Sequence, residues 1–91
     1  GRTAVSWAAS NGHNDIVQKL VEAGARTNVV DGDGLTPLMR AAWNGHDTIV
    51  RLLIESGARA SMKDENGKSA LDYAFEGKHL DVVRTLRSFG A

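Results

Sequence analysis

Gly34-Leu35-Thr36-Pro37-Leu38-Met39-Arg40-Ala41-Ala42-Trp43-Asn44-Gly45-His46 holds, within thirteen residues, the start, one buried face and the stop of a short helix. Thr36 is an N-cap residue, and Pro37 follows at the first helical position, where its missing N–H costs nothing. Leu38, Ala41 and Ala42 fall at i, i+3 and i+4, so one side is apolar and mostly small. Asn44-Gly45 ends the helix with a residue able to take left-handed dihedrals. Beyond it, Asp47 or Thr48 is expected to cap a second helix. That helix turns Ile49, Val50, Leu52, Leu53 and Ile54 inward and stops at Gly57.

The same pattern lies 33 residues upstream. Gly1, Thr3, Ala8, Ala9, Asn11, Gly12 and His13 fall on Gly34, Thr36, Ala41, Ala42, Asn44, Gly45 and His46. Ile16, Val17, Leu20, Glu22, Gly24, Ala25, Arg26 and Asp31 then match Ile49, Val50, Leu53, Glu55, Gly57, Ala58, Arg59 and Asp64 without a gap. Chance would give about two identities over one such unit, so the period marks a stacked-repeat array. A second shift reaches Gly67, Leu71, Ala74, His79, Val83, Arg84, Leu86, Gly90 and Ala91. Asp31-Gly32-Asp33-Gly34 and Asp64-Glu65-Asn66-Gly67 supply tight turns between units. The expected organisation is a single all-α domain over residues 1–91, with units at 1–33, 34–66 and 67–91.

Composition bounds the rest. A 91-residue chain buries roughly 60 to 70% of its extended surface and has little room for a separate catalytic domain. Eleven basic residues balance eleven acidic ones, and no basic run of five occurs. General binding to nucleic acid or to an anionic membrane is therefore disfavoured. There is no cysteine, which removes disulfides and thiolate metal sites and suits a reducing compartment or an engineered chain. No signal peptide or apolar span of membrane length is present.

The run from Gly34 to Ala42, followed by Gly45-His46 and Gly57-Ala58, resembles the ankyrin repeat signature, and the resemblance covers essentially the whole chain. It implies a solenoid of three helix-turn-helix units joined by short β-turns. The implied activity is binding of a protein partner, with no cofactor, by a monomer located in the cytoplasm or nucleus. The partner surface implied by the family is the concave strip of turn tips and first helices. By position, that strip comprises Arg2, Trp7, Ser10 and Asn11, then Gly32, Asp33, Leu35, Arg40, Trp43 and Asn44, then Glu65, Asn66, Lys68, Tyr73 and Glu76. Trp43 is of the type enriched at binding hot spots; the alternative is that it merely covers Ala-rich neighbours. Trp7, Arg40 and Tyr73 share one column and are expected to line the inner face. A second reading is a designed ankyrin repeat protein, made as a folding test with no native partner. It draws on a start at a turn glycine, an end on Gly90-Ala91 flush with the period, and the absence of both an initiator Met and Cys.

The copies also depart from the family pattern. The motif histidine, which bonds the motif threonine in the family, is replaced by Ser6, Met39 and Asp72. Ser69 and Asp72 can form a capping box instead, whereas Met39 offers no equivalent. Ala4 and Ala70 replace the motif proline, and Lys78 stands where Gly12 and Gly45 sit, with Gly77 one residue earlier, so a looser helix end is expected there. Lys19 replaces Leu52 in the first copy, while Thr85 and Arg87 replace Leu52 and Ile54 in the third. These polar changes are expected to face water at the two ends of the stack.

Three catalytic or metal readings are weaker than structural ones. His13, His46 and His79 recur with the period, but stacked helices are about 8 to 10 Å apart, too far for three rings to converge on zinc. Asp31-Gly32-Asp33-Gly34 begins like a calcium loop, yet the twelfth position is Ala42 rather than a bidentate Glu. Ser6, His13 and Asp15 are the residue types of a hydrolase triad without a nucleophile elbow. No enzyme activity is expected.

Overall fold

The computed structural model describes residues 3–90. Six helices follow one another: α1 (Ala4–Asn11), α2 (Asn14–Glu22), α3 (Pro37–Trp43), α4 (Asp47–Glu55), α5 (Ala70–Glu76) and α6 (Leu80–Ser88). No strand occurs among the described residues. Each helix is shorter than an isolated peptide needs to stay helical in water, so packing against neighbours holds them. α1, α3 and α5 lie side by side in one layer, and α2, α4 and α6 form a second layer behind them.

The small residues of the sequence pattern sit where the first helices meet. Ala8, Ala9, Ala41, Ala42 and Ala74 are fully buried, and their size lets neighbouring backbones approach closely. Val17, Ile49, Val50, Leu53, Val82 and Leu86 fill the space between the layers. Leu52 and Ile54 pack only at the edge of this core.

Each first helix is capped at its start. Thr3 Oγ1 accepts from the Ser6 N–H at 3.1 Å, Thr36 Oγ1 from Met39 at 3.2 Å and Ser69 Oγ from Asp72 at 3.4 Å. Asp72 closes the box by accepting from the Ser69 N–H at 2.9 Å. Met39 closes one too, contrary to the sequence expectation: its Sδ accepts from the Thr36 N–H at 3.5 Å. A thioether is a weak acceptor, but the group is buried and has no competing water. The second helices behave differently. Their N-caps are His13, His46 and His79, none with a side-chain cap bond. Asp47 is therefore a first-turn residue and not the expected cap, and Thr48 is exposed.

The repeated histidines act between units. A Cβ at Gly45 would come within 2.5 Å of the His79 ring, and His46 Nε2 lies 3.2 Å from the Ser10 carbonyl oxygen. The imidazole of one unit thus fills the space above the helix end of the unit before. In the third copy Lys78 takes the left-handed conformation itself, at φ 59°, while Gly77 stays at φ −80°. Gly77 serves a different end: a Cβ there would meet the Trp43 carbonyl oxygen at 2.8 Å.

The expected polar ends are present in part. Lys19 and Arg87 are exposed, but Thr85 is buried. Its hydroxyl faces α4, donating to Asp47 and accepting from Arg51 Nη2 at 3.3 Å. The register of α6 turns Thr85 toward the preceding unit, so its polarity is met by protein and not by solvent. Nor is the third unit's outer side uniformly polar. Phe75, Leu80 and Phe89 are exposed there, with the Arg87 guanidinium 5.4 Å from the Phe75 ring centroid.

Candidate protein-interaction groove

The inter-unit turns position the strip. Asp31 N–H donates to the Leu35 carbonyl at 2.8 Å, and Gly34 N–H to the Asp31 carbonyl at 2.9 Å. The Asp31 carboxylate is buried beneath this turn. Its Oδ1 accepts from the N–H groups of Asp33 and Leu35, and its Oδ2 from Arg40 Nε at 2.7 Å and from the Ser6 hydroxyl at 3.3 Å. Asp64 repeats the arrangement with the N–H groups of Asn66 and Lys68, but there Tyr73 donates its hydroxyl in place of Arg40. With its oxygens so occupied, the Asp31-Gly32-Asp33-Gly34 segment is a turn held by its own side chain.

The column Trp7, Arg40 and Tyr73 therefore has three fates. Arg40 spans Asp31 and Asp33, the latter at 2.8 Å. Tyr73 is only 4% exposed, so it does not line the inner face as a free side chain; one edge of it closes a groove. Trp7 stands at the first unit, half exposed and stacked on His13 with centroids 4.9 Å apart.

Between α1, α3 and α5 lies an open groove of about 360 Å³, lined by Ser10, Leu35, Arg40, Trp43, Asn44 and Tyr73. Trp43 is 45% exposed and rests on the Tyr73 ring, with centroids 4.8 Å apart at an interplanar angle of 43°. Its partner is thus the next unit's aromatic ring, and one side of the indole stays open. Asn44 fixes the far wall by donating from Nδ2 to the carbonyl oxygens of Ser10 at 3.1 Å and Arg40 at 3.0 Å.

The family model for ankyrin repeats matches residues 5–91 as three copies. The chain belongs to the ankyrin repeat family. Ankyrin repeats in general mediate protein–protein interaction and are not catalytic.

The residues anticipated for an ankyrin partner surface divide into groups. Leu35, Arg40, Trp43, Asn44 and Tyr73 meet in the groove, and Asp33 joins through Arg40. Lys68 and Glu76 pair at 2.9 Å beside it, with Lys68 Nζ 5.7 Å from the Tyr73 centroid. Glu65 and Asn66 are exposed at the second turn. Trp7 and Asn11 are outside the groove lining, tied to each other by a 2.8 Å bond from Asn11 Nδ2 to the Trp7 carbonyl. Arg2 lies outside the described residues. Asp31 and Asp64, which anchor the strip from beneath, were not anticipated as parts of it, although their recurrence at the 33-residue period was visible.

The electrostatics follow from these bonds. Burial would push the Asp31 carboxyl up, but hydrogen bonds from Arg40 and the Leu35 and Asp33 amides outweigh it and hold it below the usual carboxylate range. Asp64 is lowered by the Tyr73 hydroxyl and then by the Lys68 amide. Burial and the bond to Asp64 push the Tyr73 phenol up to about 12. Ser6, one of the triad residue types, is fully buried with its hydroxyl on Asp31, while His13 stacks on Trp7. No helix among the described residues is long and apolar enough to cross a membrane.

Proposed function

We propose that this chain is a non-enzymatic protein-binding module, acting as one monomeric unit. Its contact surface runs along α1, α3 and α5 and the two turn tips, centred on the groove at Trp43. The observation that carries this reading is the indole of Trp43, half exposed yet held in place by Tyr73 of the next unit. A rigid aromatic anchor beside a polar rim is the arrangement from which interface hot spots are made, because little conformational freedom is lost on binding. Asp31, buried, and Asp64, partly buried, keep the turn tips in fixed register with that anchor.

The test is quantitative affinity capture with the parent protein, Trp43→Ala and Lys19→Ala, the last altering the exposed outer side of α2. A hot-spot Trp contributes about 2 kcal/mol, so interactors of this groove should weaken about 30-fold with Trp43→Ala and be unchanged with Lys19→Ala. Circular dichroism should show the helical fold intact in both. Interactors retained equally by all three proteins would remove Trp43 from the binding surface.

A further inference from the structure

The chain is neutral overall, but the folded chain separates its charge. The two turns and the first helices they lead into, residues 31–44 and 64–77, carry six carboxylates: Asp31, Asp33, Asp64, Glu65, Asp72 and Glu76. They carry two cations, Arg40 and Lys68, leaving a net charge of −4. The second helices and the loops after them, residues 14–30, 47–63 and 80–90, hold seven cations against five carboxylates, a net of +2. The helix order puts the first set on the layer of α1, α3 and α5 and the second on the layer behind it.

Both cations of these two segments are already engaged. Arg40 is spent on Asp31 and Asp33, and Lys68 is held by Glu76. The Lys68 ammonium also sits over the Tyr73 ring. The site therefore already displays, with its own residues, a cation resting on an aromatic face with a carboxylate alongside. Trp43, the other half of the aromatic pair, has an open face and no cation of this chain on it among the described residues. Indole is the strongest of the aromatic faces for a cation, and although the groove lining itself holds no carboxylate, the net negative charge of the turns and first helices adds longer-range attraction and guides approach.

On the reading of this groove as the partner surface, we propose that its occupant is a basic peptide segment, with a Lys or Arg side chain laid on the open face of Trp43. Acidic segments and nucleic-acid backbones are repelled by the same surface. The aliphatic stem of the incoming side chain packs beside Leu35, while its charge is met by the carboxylates of the turns.

A phage-displayed dodecapeptide library selected on the immobilised parent protein tests this, with Trp43→Ala as counter-target and Glu65→Lys as the charge probe at an exposed turn position. Selected peptides should be rich in Lys and Arg. Synthetic copies should lose about tenfold or more in affinity on Trp43→Ala. Glu65→Lys, or raising NaCl from about 0.05 to about 0.5 M, should cost about three- to fivefold. Neutral or acidic peptides that nonetheless depend on Trp43 would overturn the basic-segment proposal and leave the groove in place. Peptides indifferent to Trp43, or no selection above background, would overturn both. Circular dichroism of each variant separates lost binding from lost folding.

Discussion

Asp31 and Asp64 hold the same place in successive units, yet one is completed by a guanidinium and the other by a phenol. The difference is measurable through pH. Both carboxyls titrate lower in the folded chain than their ordinary value of 3.8. The unfolded chain therefore takes up their protons first on acidification, and stability present above about pH 4 falls away below it. Tyr73 acts at the other end. Its proton is held to about pH 12 when folded, against 10 when unfolded. Its contribution is complete below about pH 10 and is lost between about pH 10 and 12, on the order of 1–3 kcal/mol. Tyr73→Phe should remove most of that alkaline decline in urea titrations and also make the acid limb shallower, because it takes away the hydrogen bond that does most to lower Asp64. An unchanged alkaline limb would mean that Tyr73 does not carry it. The recurrence of Asp was legible at the residue scale; the partner of each was not. Arg40 and Tyr73 differ in length and charge, and only the turn geometry shows that each reaches the Oδ2 of the aspartate in the turn before its helix, Asp31 and Asp64 respectively.

At the scale of the helix, the third unit's loop exchanges two roles that glycine plays together elsewhere. In the middle unit Gly45 both adopts φ 75° and makes room for the next imidazole. In the third, Lys78 takes the positive φ and Gly77 provides the clearance beside Trp43 and His79. Lys78→Gly should therefore stabilise the protein by about 0.5–1 kcal/mol, since a side chain in the left-handed region costs about 1–2 kcal/mol and glycine returns part of that as chain entropy. Gly77→Ala should destabilise it by more than about 1 kcal/mol, because the added carbon meets backbone that cannot swing aside. Thermal or urea unfolding reads both, and equal effects of the same sign would contradict the division of roles. Helix starts and stops were readable because caps, Pro37 and Asn-Gly pairs act through local geometry. Two features were not: the Met39 sulfur in the capping box, and the burial of Thr85 against Asp47 and Arg51. Both depend on what a neighbour excludes, water in one case and solvent access in the other.

Across the whole molecule the 33-residue period was sufficient for the architecture, because identical spacing forces like residues into columns. It was insufficient for the surface. Summed along the chain the charges cancel, and their separation onto two layers emerges only when first and second helices are placed on opposite sides. Likewise, Trp43 could be ranked as a prominent exposed residue, but its seating on Tyr73 crosses the boundary between units and has no local signature. Ser10 and Asn44, from different units, meet for the same reason.

The two indoles sit in successive units, each beside a different kind of quencher. Trp7 stacks on an imidazole within its own unit, while Trp43 leans on a phenol belonging to the next. The protein is thereby equipped with two built-in optical reporters, one for the first unit alone and one for the seam between the second and third. Emission from Trp7→Phe then tracks the seam, and emission from Trp43→Phe tracks the first unit. In an array this short the two unfolding curves should coincide with each other and with the loss of helical ellipticity. A seam that separated before the first unit melted would show the stack fraying from one end.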